Sequence, residues 1–175
     1  GLRYEAAREF YDLLNKERKG SAEILYMQGS IPSSTRMGMA SLLPHKTITM
    51  DENYRTYVDE VSSEGTDNKI KILNYYSQES MAIQYTDIIE MKRDDMRKTL
   101  SGKEIIYIYH NTIDARGDNS KTEREVFDAV EEAFKELMVL INSLVNNVSA
   151  TNIILTADHG FIYKRGDLME SDKIT

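Results

Sequence analysis

The 175-residue sequence has no cysteine and no tryptophan, only two prolines, and three histidines. Without cysteine there is no disulfide framework and no thiolate metal site. With only His45, His110 and His159 available, any metal site must lean on carboxylates. No apolar run is long enough to span a bilayer, and no stretch has the pattern of a signal peptide. These absences lead us to expect a cytoplasmic protein with no membrane partner. The net charge of −7 counts against a broad electrostatic grip on nucleic acid, though not against a nucleic-acid substrate held through metals. No Gly-rich phosphate loop follows any predicted strand, which counts against a nucleotide-binding sensor on a doubly wound sheet.

What is present suits an α/β fold. Hydrophobic residues make up 41% of the chain, enough for a real core in one domain spanning 1–175. Leu2, Ala6, Phe10, Leu13 and Leu14 recur at helical spacing. Residues 22–27 read as a strand, and a short helix is expected from Thr35 to Pro44. Residues 46–103 read as a less regular insertion with short strands at 47–50, 57–58 and 81–85 and helices near 70–76 and 86–100. Residues 104–109 form a buried-strand pattern, followed by a polar loop at 110–118. Thr122 and Glu125 have capping-box spacing, and an apolar stripe of Val126, Val130, Phe134, Leu137 and Ile141 marks a helix over about 122–147. The run 152–157 is again strand-like. We expect strands 22–27, 104–109 and 152–157 to be parallel neighbours, with the stripe packed on their sheet.

Each of these three strands leads into a loop carrying chemistry. The first carries Thr35 and Arg36. A hydroxyl there reads either as an N-cap or as a nucleophile, and Arg36 as a solvated residue or a planar phosphate donor. The second carries Asp114 and Asp118, two carboxylates around a glycine, which read as a turn or as ligands of one cation. The third ends in Asp158-His159-Gly160, which alone reads as a capped turn. Together these oxygen and nitrogen donors suit divalent ions of the Zn, Mn or Mg type.

The full set of motifs resembles a known family. Leu2-Arg3-Tyr4-Glu5, Pro32-Ser33-Ser34-Thr35-Arg36-Met37-Gly38-Met39-Ala40, Leu42-Leu43-Pro44, Tyr107-Ile108-Tyr109-His110-Asn111, Ile113-Asp114, Gly117-Asp118 and Thr156-Ala157-Asp158-His159-Gly160-Phe161 are similar to the PglZ domain. That family lies within the alkaline phosphatase superfamily and belongs to bacterial phage-defence systems of the BREX and phage-growth-limitation type. The resemblance implies a three-layer alkaline-phosphatase-like core with a mostly parallel sheet, here truncated. It implies a phosphatase or phosphodiesterase with two divalent metal ions. Thr35 corresponds to the nucleophile and one-metal ligand, with Arg36 beside it. Asp158 and His159 correspond to ligands of the same metal, and Asp114 and Asp118 to the second site, where Asp118 replaces the His of other superfamily members. The role of His110 is left open among ligand support, substrate contact and packing.

The same resemblance places a further ligand Asp before Gly1 and a further His well beyond Asp158-His159-Gly160. The sequence is therefore expected to be a fragment, inactive by itself and prone to self-association. Expected partners are a phosphate ester (a monoester, a nucleotide diester or a nucleic-acid strand) and other phage-defence proteins. The alternative is a non-catalytic structural or interaction module of a defence complex with a degenerate metal site.

Overall fold

A computed structural model describes residues 2–17, 21–117 and 126–160. Its elements run α1 (Tyr4–Glu17), α2 (Thr35–Ser41), β1 (Ile48–Met50), β2 (Thr56–Val58), β3 (Val61–Ser62), α3 (Thr66–Tyr76), β4 (Ser80–Gln84), α4 (Tyr85–Ile89), α5 (Arg93–Leu100), β5 (Ile105–Tyr109), α6 (Thr112–Gly117) and α7 (Val126–Val148). Strands β1, β2 and β3 form an antiparallel sheet in that order, and β4 pairs with β5 in parallel. The chain is thus a mixed α/β structure with two small sheets. Among the described residues no helix is long and apolar enough to cross a membrane.

The parallel pair is the middle of a sandwich, and its side chains alternate as strand geometry requires. Ala82, Tyr107 and Tyr109 join Ala40 and Leu43 near α2, Val58 of β2, and Ile72 and Leu73 of α3. Ile83, with Met81, Ile106 and Ile108, faces the other way onto Ile88, Met96, Leu100, Leu140 and Leu144. A third cluster lies between helices: Ala6 and Phe10 of α1 meet Ile113 of α6 and Val126, Val130, Ala133, Phe134 and Ile141 of α7. The Phe10 and Phe134 rings lie 5.0 Å apart.

Here the structure corrects several expectations. The partner of β5 is β4, from within the stretch read as least regular. Residues 22–27 and 152–157 are not strands. Leu25 and Tyr26 are each 87% exposed and Ile154 is 88% exposed. A run of apolar, β-prone residues makes a segment able to pair, but a strand exists only where a hydrogen-bonding neighbour is in register. The α7 stripe also divides. Val126, Val130, Phe134 and Ile141 pack on α1 and α6, whereas Leu140 and Leu144 reach the sheet. A broad apolar face can serve two layers, and periodicity alone does not say which residue faces which. The segment expected as a loop after β5 begins with the helical turn α6. Gly102 supplies the φ of 77° needed to turn from α5 into β5, with no neighbour crowding it.

The tight connection between β2 and β3 uses Asp59 and Glu60 at φ 46° and 70°. Two positive φ values match the right-handed twist of a hairpin but are costly for non-glycine residues. The Asp59 carboxylate offsets the cost by accepting from the Thr47 and Lys46 N–H groups, at 2.8 and 3.1 Å, and from the Tyr76 hydroxyl at 2.5 Å. The Tyr76 hydroxyl, followed by the Thr47 amide, holds this carboxyl down to about 2. Since the folded value lies below the unfolded one of about 3.9, this stabilisation is complete above that value and vanishes as pH falls toward 2. Asp59→Asn should therefore lower the denaturation midpoint at neutral pH and flatten the loss of stability between about pH 4 and pH 2, followed by circular dichroism.

Candidate active site

Helix α2 is held from three sides. Ser34 is its N-cap, accepting from the Met37 N–H at 3.4 Å. The Tyr107 hydroxyl of β5 donates to the Leu42 carbonyl at 2.9 Å. The buried Thr56 hydroxyl of β2 donates to the Arg36 carbonyl at 3.3 Å and lies 2.6 Å from the Ser63 hydroxyl. Because Ser34 does the capping, Thr35 is the first helical residue and its hydroxyl is left for another contact. Thr35 Oγ1 lies 3.1 Å from His159 Nε2, across 124 residues of sequence.

The Asp158-His159-Gly160 turn is pressed against α2. A Cβ on Gly38 would lie 2.4 Å from the Asp158 carbonyl oxygen and 2.8 Å from its Cβ, distances that real side chains do not reach. On the other side, a Cβ on Gly160 would meet Arg3 at 3.2 Å, at the start of α1. Two glycines in two segments thus let three pieces of chain converge. His159 Nδ1 lies 2.9 Å from the Gly160 carbonyl. A proton on Nδ1 satisfies that acceptor and leaves the Nε2 lone pair toward Thr35.

Asp114, Asp158 and His159 each bring a ligand atom into a set whose members all lie within 4.8 Å of one another. Two ligands bound to one zinc-type ion at about 2.0–2.2 Å are separated by at most about 4.4 Å, so small side-chain movements would close this set. Asp158 is 7% exposed, and its Oδ2 accepts no hydrogen bond among the described residues, although His159 Nε2 stands 3.2 Å away. A buried carboxylate oxygen left without a donor is costly unless a cation meets it. The donors, their spacing and the orphaned oxygen all fit a divalent metal.

The remaining candidates are placed as follows. Arg36 turns away from Thr35, donating to the Asn53 and Tyr54 carbonyls at 3.4 and 3.3 Å and pairing with Glu64 at 3.3 Å. Asp118 lies outside the described residues. His110 Nε2 is 2.6 Å from Glu136 Oε2, and Thr112 donates to the same oxygen at 2.6 Å. This knot ties the end of β5 and the start of α6 to α7, and so braces the helix that carries Asp114. The Tyr85 ring packs edge-on against His110 at 4.9 Å. Sequence reasoning did not single out Lys69 of α3, whose ammonium sits 3.9 Å from the centre of the Tyr109 ring. A lysine in a polar helical stretch carries no local mark of such a role. In the sequence Gly38 stands only as part of a motif, and its contact with Asp158 is invisible without the tertiary fold.

The arrangement is that of an α/β protein with a candidate carboxylate–imidazole metal centre beside a helix-borne threonine. The whole chain, residues 1–175, matches the family model of the BREX system PglZ alkaline phosphatase-like domain, and the chain belongs to that family. It is 51% identical over 173 residues to the alkaline phosphatase-like protein PglZ of Bacillus cereus (strain H3081.97), covering 99% of this chain and 20% of that protein. It is 39% identical over 176 residues to the alkaline phosphatase-like protein BrxZ of Escherichia coli O9:H4 (strain HS), with the same coverage of 99% and 20%. The chain thus spans about a fifth of the length of these curated relatives. No solved structure matches it.

The Gly38 contact generates a direct test. Gly38→Ala should force the Asp158 main chain off α2 and widen the gap between Thr35 and the ligand set. We expect divalent-metal affinity, measured by calorimetric titration, to fall at least about tenfold. Far-ultraviolet dichroism should change little, because the residue lies in a short helix outside the sheet.

Proposed function

We propose that the protein is a metal-dependent phosphoryl-transfer hydrolase acting on a phosphate ester, with Thr35 as the nucleophile. The observation that carries this reading is the placement of Thr35 Oγ1 3.1 Å from His159 in a cluster with Asp158 and Asp114. Asp114, Asp158 and His159 would hold a divalent ion, which groups Asp114 with the two residues the resemblance gives to the Thr35 metal. A second ion would fall to Asp118, which stands where other superfamily members carry a His. When bound, such ions act as Lewis acids toward phosphoryl oxygens and favour an ionised nucleophile.

The chain's own residues supply positioning. Gly38 and Gly160 let the Asp158 turn approach α2. Ser34 frees the Thr35 hydroxyl, and the Gly160 carbonyl orients the His159 ring. Thr35 Oγ gives up its proton to solvent and attacks phosphorus, and the bond from phosphorus to the ester oxygen breaks in line, with that oxygen taking a proton from solvent. Water later attacks the same phosphorus, leaving its hydroxyl on the released phosphate and returning a proton to Thr35 Oγ. The buried position of Asp158 excludes water from one side of the cluster, which strengthens its attraction for a cation. Arg36 would reach a substrate only after leaving Glu64 and the carbonyls of Asn53 and Tyr54, so its contribution is secondary to that of Thr35. Family membership supports a setting among other proteins of a BREX phage-defence system.

The test is hydrolysis of p-nitrophenyl phosphate and bis-p-nitrophenyl phosphate by the full-length protein with Mn²⁺, Zn²⁺ or Mg²⁺. Turnover should disappear with a chelator and fall at least about a hundredfold in Thr35→Ala. Equal turnover in Thr35→Ala would overturn the nucleophile assignment. Metal binding without turnover on either ester would favour a non-catalytic module of the defence complex.

A further inference from the structure

Lys69 belongs to α3, and its ammonium is near enough to Asp158 to feel that carboxylate's charge. Its ammonium lies 3.9 Å from the centre of the Tyr109 ring, at the end of the strand that leads to His110 and α6. Among the described residues it has neither a hydrogen-bond acceptor nor an ion-pair partner. Burial pushes this ammonium below its usual range, and the Asp158 charge pulls it back up. The Tyr109 hydroxyl is itself buried without a hydrogen-bond partner among the described residues.

A half-buried ammonium normally spends its three donors on carboxylates or carbonyls. Here a ring face and a neighbouring charge hold it in place while its donors remain unspent. Asp158 presents the complementary defect, a buried oxygen without a hydrogen-bond donor among the described residues. A cation without acceptors and a carboxylate oxygen without donors, close enough for one charge to act on the other, together describe a receptor for a metal-bound anion. The metal would answer Asp158, and an oxygen of the anion would answer Lys69.

We propose that Lys69 is a phosphate-binding residue of the Thr35 site: its ammonium, seated on the Tyr109 ring, takes an oxygen of the phosphate ester that Thr35 attacks. The assignment rests on the hydrolase reading above and adds a substrate contact to it. Lys69 lies in α3, and nothing in the motif pattern points to it. Its charge acts in opposite senses on the two ligands, attracting phosphate and repelling the dication that gathers at Asp158.

That opposition is what the experiment reads. The full-length protein is titrated calorimetrically with Mn²⁺, and then with inorganic phosphate at a fixed Mn²⁺ concentration. In Lys69→Gln, phosphate affinity should fall at least about tenfold, the size of one charge-assisted hydrogen bond, while Mn²⁺ affinity rises about threefold or more. Lys69→Arg, which keeps a cation that stacks on aromatic rings, should retain phosphate affinity within about threefold. If Lys69→Gln loses its native dichroism, Lys69→Met, which keeps the aliphatic stem on the ring, takes its place. Unchanged phosphate affinity would overturn the proposal, and so would a parallel loss of phosphate and Mn²⁺ affinity, the behaviour of a structural brace. If the unaltered protein binds neither Mn²⁺ nor phosphate, the hydrolase reading fails and this assignment with it. If it binds both and the substitutions move neither, only the assignment of Lys69 fails.

Discussion

The close approach of α2 to the Asp158 main chain is the constraint on which the site depends. At Gly38 there is no room for even one carbon between the helix and the Asp158 carbonyl. That contact sets the distance between Thr35 and His159, and with it the relation between hydroxyl, imidazole and carboxylates. The supports around α2 act on the same distance. Tyr107 fixes its end to β5, Thr56 fixes its beginning to β2, and Ser34 caps it without occupying Thr35. The two-stranded parallel sheet matters mainly as the rigid wall to which these supports attach.

Charge explains the second layer of organisation. Three acidic or imidazole side chains converge on one point, and one of the carboxylates is almost fully buried. Such a cluster is unfavourable without compensating positive charge. Lys69 supplies a single charge held at a distance by the Tyr109 ring, and a divalent ion would supply the remainder. The Glu136 knot with His110 and Thr112 serves a different end: it spends its hydrogen bonds on holding α6, so that Asp114 is presented from a braced turn.

The apolar segments 22–27 and 152–157, which carry no helix or strand, raise a separate physical point. Leu25, Tyr26 and Ile154 are largely exposed, and exposed apolar side chains on a segment without a ladder favour pairing with another chain. The chemistry-bearing ends of both segments nevertheless come together: a Cβ added at Gly29 would lie 4.0 Å from the Asp158 carbonyl oxygen. The site geometry is therefore held by contacts at α2 rather than by hydrogen bonding along these segments.

Sequence by itself determined the residue types, their order and the local helical periodicity. Thr35, Asp114 and Asp158-His159-Gly160 are legible because motifs and hydrophobic spacing are local properties of the chain. The buried-strand run at 105–109 was legible for the same reason, and so were helices α1, α2 and α7. Tertiary structure decided what depends on distant neighbours. It paired β5 with β4 and left 22–27 and 152–157 unpaired, because a ladder needs a partner in register. It gave the cap to Ser34 rather than Thr35 and turned Arg36 toward Glu64. It divided the α7 stripe between two layers and seated Lys69 on Tyr109. Each of these outcomes turns on which side chains become neighbours across dozens of residues, and that is settled only when the whole core packs.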